Sequence, residues 1–269
     1  MKSLLLQAPF ILILLSFATL WCFKRLYLWL PLSFVGYTLY FFNQQIPWQI
    51  LVLFWILFFA TFCLKQSQSL LNFIPFFVLL VIGYALFLES FAPATWTSIA
   101  KAVPANLSFS MTPSTLLPLN AFFTIGLLLP LNSNIKDWLI TIFFAAFFAA
   151  ALIFLMINFV GKFEARPLDT SQNIMEIFFM IIPAEAFFRG FVQRELANNL
   201  HTKGSTVFAI LISSTLYASL TLLKTQSQDI TAIAFIFSLI LCIIYQLTKK
   251  IEVPILCHIF LNLGLQKFS

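Results

Sequence analysis

DWLITIFFAAFFAAALIFLMINFV, residues 137–160, carries a single charge, at its first position. An apolar run longer than about 18 residues with so few charges reads as a membrane-spanning helix, because its side chains match hydrocarbon and its backbone bonds to itself. Similar runs lie on both sides. Before it come residues 3–23, 26–42, 48–64 and 72–90, then 114–131, which is interrupted by Pro118 and Pro130. After it come 172–198, 204–223, 228–247 and 252–267. The pattern predicts an all-α polytopic membrane protein with about eight to ten transmembrane helices. Between the fourth and fifth runs, Ala92 to Pro113 mixes Pro93, Trp96, Lys101 and Pro104, which suits a loop or a short interfacial helix.

Composition excludes the other broad classes. The 269 residues are 61% hydrophobic and 9% charged, and mean hydropathy is +1.00. Soluble domains carry about 25% charged residues, so this chain lacks the polar surface to cover a soluble globule. With 35 Phe against 7 Gly, packing must rely on aromatic bulk. The formal charge of +6 comes from Lys and Arg placed singly or in pairs between apolar runs. That spacing suits helix-end anchors facing headgroups rather than a nucleic-acid patch, and it is too even to set an orientation. The first run follows Lys2 like a signal peptide. It exceeds the usual apolar core of about 7–15 residues and lacks a small-x-small exit, so a permanent span is expected. No repeat of helical units is visible.

Cys22, Cys63, Cys242 and Cys257 show no CxxC spacing and sit in apolar runs, as buried free thiols do. With two histidines in the chain, neither a metal site nor a cofactor is expected. His201, in Asn198-Asn199-Leu200-His201-Thr202-Lys203-Gly204, reads as a solvated residue after a helix end. A Ser/His/Asp triad, a P-loop, GxGxxG and HExxH are all absent.

The character changes after Lys162-Phe163-Glu164-Ala165-Arg166-Pro167, because the next run holds Glu176, Glu185, Arg189, Arg194 and Glu195. Ionisable groups at membrane depth are costly and mark candidate sites. Glu185 and Arg189 are four apart, which puts carboxylate and guanidinium on one helix face within reach of each other. In the last run, His258 and Asn262 again share a face. Two polar groups one turn apart there need partners or water, so a shared polar cavity or an inter-helix clamp with Glu185 and Arg189 is expected. Ser213, Ser214, Tyr217, Ser219 and Thr221 lie between these elements; hydroxyls in spans usually bond their own backbone or allow close packing.

In this order the elements resemble the CPBP family of intramembrane endopeptidases, which includes CAAX proteases and bacteriocin-processing enzymes and is also called the ABI family. Its pattern is EExxxR, then FxxxH, then HxxxN. The first motif reads Ala184-Glu185-Ala186-Phe187-Phe188-Arg189, continuing Gly190-Phe191-Val192-Gln193. Tyr217-Ala218-Ser219-Leu220-Thr221 stands at the second, and His258-Ile259-Phe260-Leu261-Asn262, after Val253-Pro254-Ile255, is the third. The resemblance covers residues 170–265 and divides the chain into N-terminal helices of unassigned role, 1–168, and a CPBP-like bundle, 169–269.

The resemblance implies hydrolysis of a membrane-embedded or membrane-proximal peptide or protein, in a bacterial inner membrane. The family's first Glu and second-motif His activate water, and its third motif stabilises the oxyanion. His258 and Asn262 keep the latter role, but Ala184 and Thr221 replace the water-activating pair, and residues 202–257 contain no histidine. Losing a general base costs about 10²–10⁴ in rate. Glu185 is the carboxylate left to act as base, one residue along and about 100° around the helix; Glu176 falls about 180° from it if the helix runs unbroken through Pro183. Arg189 would orient Glu185. Two rivals remain: a non-catalytic descendant that binds peptides or a partner membrane protein, as in immunity, and a transporter with a helix broken at Pro118 and Pro130.

Overall fold

The computed structural model describes residues 2–22, 28–43, 46, 48–66, 70–89, 124–128, 135–159, 173, 174, 176–200 and 204–265, which are helical apart from short connections. His201 and the stretch from Ala92 to Pro113 lie outside them. The elements are α1 (Lys2–Cys22), α2 (Trp29–Phe42), α3 (Trp48–Gln66), α4 (Leu70–Glu89), a π-helical turn (Thr124–Leu128) and α5 (Ile135–Phe159). A composite helix α6 (177–199) follows, then α7 (Ser205–Thr225), α8 (Gln228–Thr248) and α9 (Glu252–Leu265). The chain forms a helical membrane protein, as its composition requires. Among the described residues three helices are long and apolar enough to cross a bilayer, within Asp137–Phe154, Ser205–Leu222 and Gln228–Thr248, and shorter apolar helices accompany them.

Two compact units divide the chain: unit 1 is Met1–Leu129 with Leu220–Gln228, and unit 2 is Pro130–Ser219 with Asp229–Ser269. In unit 1, α1 buries Phe10, Ile13, Phe17 and Leu20, and α3 buries Phe54, Leu57, Thr61 and Leu64. Both follow the three-and-four spacing that lines one helix face. The opposite face of α3 exposes Val52, Trp55, Ile56, Phe59 and Phe62, so these helices are apolar all round, as lipid contact demands. Ser16 Oγ donates to the carbonyl of Trp29 at 2.7 Å, pinning α1 to the start of α2. Glycine is needed at Gly126, where a Cβ would stand 2.5 Å from the buried Trp29 ring.

In unit 2, α5 turns Ala145, Ala149 and Leu152 onto Leu241 and Ile244 of α8 and Val253, Cys257 and Leu261 of α9. Alanines one turn apart leave room for close backbone approach, and dispersion then holds the helices where hydrocarbon offers no hydrophobic drive. That packing seats α9 and the residues it carries. Helix α8 ends at Lys249, whose φ of 55° starts the turn into α9 and whose N–H donates to Tyr245 O at 2.7 Å.

Helix α6 alternates hydrogen-bond registers: π over Ile177–Ile181, α over Ile182–Glu185, π over Ala186–Gln193 and α over Arg194–Asn199. The junction residues Ile181, Ile182, Glu185, Ala186 and Arg194 all keep right-handed helical dihedrals, so one rod passes through Pro183. Pro183 offers no N–H and its ring crowds the carbonyl four residues back, which favours a wider turn just before it. The sequence-based angle of about 180° between Glu176 and Glu185 assumed a uniform α-helix, and these π turns remove that assumption.

Candidate active site

Helix α6 carries the charges inward where its second π stretch begins. Glu185 and Arg189 are fully buried, and every residue from Glu185 to Gln193 is buried with them. Arg189 Nε lies 3.1 Å from Glu185 Oε2. The spacing of four thus makes the pair that the sequence predicts. Neighbouring Ala184 is only half-buried, which matches the angular offset between the family's first-Glu position and Glu185.

Helix α9 brings the third member. His258 Nδ1 lies 2.8 Å from Glu185 Oε1, joining residues 73 apart in the chain. Glu185 therefore engages Arg189 with one oxygen and His258 with the other. The His258 side chain keeps 16% of its surface exposed, whereas Glu185 keeps none. Phe237 of α8 sets its ring edge-on to the imidazole, with centroids 4.9 Å apart. Asn262, half-buried, follows one turn later on α9. The structure therefore brings three of the four predicted residues into direct contact and places Asn262 on the same short helix as His258.

Among the neighbours of Arg189, Ser238 is one the sequence did not single out. Arg189 Nη2 donates to Ser238 Oγ at 3.1 Å and to Ser238 O at 3.3 Å, tying α6 to α8. The guanidinium carbon stands 5.2 Å from the centroid of the Tyr217 ring, at cation–π distance. Gln193 Nε2 donates to Cys242 O at 2.9 Å, a second tie between α6 and α8. Of the two expectations for Ser213, a bond to its own helix or close packing, the first is not met: its Oγ donates to Phe188 O on α6 at 2.8 Å. A lone Ser inside Phe237-Ser238-Leu239 was the available signal for Ser238. Its significance depends on Arg189, 49 positions away, which no local pattern reveals.

A buried charge is tolerable only when paired and hydrogen-bonded. Here one carboxylate gathers a guanidinium and an imidazole, and helices α6, α7, α8 and α9 each contribute a neighbour. Such a cluster can hold a fixed imidazole tautomer and present polar groups to a reacting carbonyl. Among the described residues no three His, Cys, Asp or Glu side chains come together as metal ligands. A groove of about 270 Å³ in unit 2, lined by residues including Phe144, Leu247 and Val253, contains no member of this cluster.

Fold and site define a class: a helical membrane domain with a buried carboxylate, guanidinium and imidazole at its centre. Residues 167–264 match the family model described as type II CAAX prenyl endopeptidase Rce1-like, a similarity consistent with the CPBP family. No curated protein and no solved structure matches the chain.

Proposed function

We propose that this protein is an intramembrane endopeptidase of the CPBP kind, hydrolysing a peptide bond in a membrane-embedded or membrane-proximal polypeptide. Residues 169–269 form the catalytic region, with Glu185, Arg189, His258 and Asn262 as the reacting centre. The observation that carries this reading is the Glu185–His258 contact at 2.8 Å, within a domain that matches a peptidase family model. Two unrelated stretches of a mostly apolar chain each supply a polar group to one buried point. Arg189 supports the carboxylate from the opposite oxygen. The region 1–168 serves as a membrane-anchoring or partner-binding unit, and the resemblance favours a bacterial inner membrane.

A non-catalytic role, for instance in bacteriocin immunity, is favoured by one observation: Ala184 and Thr221 stand where the family keeps its water-activating Glu and His. Peptide profiling separates the two. Membranes from cells expressing wild type, His258→Ala or no protein are compared for new N-termini at matched expression. New termini confined to wild type support hydrolysis; identical profiles across all three, with the variant folded, support binding.

A further inference from the structure

We infer that His258 is the general base of this site and that Glu185 is its positioning residue, so that one dyad replaces the absent water-activating pair. The inference rests on the hydrolytic reading above and assigns the proton transfers within it.

The geometry gives each group one role. Glu185 is fully buried, with Oε2 facing Arg189 Nε at 3.1 Å and Oε1 facing His258 Nδ1 at 2.8 Å. A carboxylate can only accept, so the Nδ1 that faces Oε1 carries the imidazole proton. The ring's other nitrogen, Nε2, then holds a lone pair. A carboxylate so enclosed is poorly placed to meet a water molecule itself. His258 is better placed, because its Nδ1 edge abuts a buried group while 16% of its side chain remains exposed. Phe237 set edge-on to the ring and the packing of α9 on α5 restrict its rotation. A carboxylate that fixes tautomer and orientation of an imidazole base is the arrangement hydrolases use when the base must accept a proton from a weak nucleophile.

The step balances without any co-reactant. Nε2 takes one proton from water while the water oxygen bonds to the scissile carbonyl carbon, and the carbonyl pair moves onto its oxygen. On collapse, the C–N bond breaks and the imidazolium returns its proton to the leaving nitrogen. A carboxylic acid and an amine result. Glu185 and Arg189 carry no proton through the cycle; they hold the imidazole.

The test uses the full chain in lipid vesicles. The chain has two histidines, so His201→Gln leaves His258 as the sole imidazole for ring-nitrogen NMR. The expected spectrum shows a protonated Nδ1 and an unprotonated Nε2, and Glu185→Gln weakens that preference. A protonated Nε2, alone or with Nδ1, overturns the assignment whatever the activity. Cleavage is read in parallel on a substrate found by terminus profiling. His258→Gln keeps a neutral donor but cannot take up a proton, so it should lower turnover by about 10²–10⁴-fold, with partial rescue of His258→Ala by added imidazole. Turnover of His258→Gln within a few-fold of wild type overturns the base role and leaves the hydrolytic reading standing. A wild type that cleaves nothing while showing the Nδ1 proton overturns the hydrolytic reading, and the base role falls with it.

Discussion

Among the described residues, unit 1 buries Ser16, Ser33 and Thr61 and no charge, whereas unit 2 buries Glu185, Arg189 and Glu252 together with Gln193, Ser213, Ser214 and Ser238. In unit 1, Ser33 and Thr61 return their hydrogen bonds to their own helices, and Ser16 reaches one turn of α2. Rings pack beside them: Phe34 and Tyr37 of α2 meet Phe54 of α3 with centroids 5.5 and 6.3 Å apart. Unit 1 shows that this amino-acid alphabet can pack helices without a buried ion. The ions of unit 2 are therefore not a requirement of helix packing, and replacing buried ion pairs with apolar groups is often neutral or stabilising, which fits the reactive role proposed above.

The comparison breaks first at Arg189. Arg189→Ala strips the guanidinium from a fully buried carboxylate and should cost about 3–5 kcal/mol, read by thermal unfolding in detergent. Glu185→Leu combined with Arg189→Leu should cost less than the single change, because no charge is left stranded. A single-variant loss below about 1 kcal/mol would mean the pair is solvated. In unit 1, the corresponding sensitivity is to volume. Gly126→Ala would push a Cβ against Trp29 and should cost about 1–3 kcal/mol by overpacking.

A matched substitution sharpens the contrast. Ser238→Ala removes a hydroxyl that accepts from a guanidinium and should cost about 1.5–2 kcal/mol, and it should also lower activity through Arg189. Ser16→Ala removes a neutral bond to Trp29 O and should cost about 1 kcal/mol without touching activity. Equal losses from the two, measured as shifts in unfolding midpoint, would erase the distinction between the units.

Much of the fold is legible in the sequence because membrane helices are specified by apolar length. The predicted runs 3–23, 48–64, 137–160 and 228–247 become Lys2–Cys22, Trp48–Gln66, Ile135–Phe159 and Gln228–Thr248. The π stretches of α6 are not legible, since a shift from i→i−4 to i→i−5 bonding leaves no mark on composition. At the site, the Glu185–Arg189 pair follows from helical spacing alone. The Glu185–His258 and Arg189–Ser238 contacts join residues 73 and 49 apart, so they depend on how α8 and α9 pack against α6. The polar spacing of His258 and Asn262 in an apolar run brought His258 forward and allowed a clamp with Glu185, but which atoms meet required the fold.

The most direct test of a reactive rather than structural charge cluster is to measure cleavage and unfolding together on purified full-length wild type and Glu185→Gln in vesicles. The account predicts that Glu185→Gln lowers turnover by at least about 10²-fold while a cooperative unfolding transition is retained. Unchanged turnover in the variant, or no turnover in wild type on substrates drawn from terminus profiling, would contradict it and leave unit 2 as a binding scaffold held together by its buried ions.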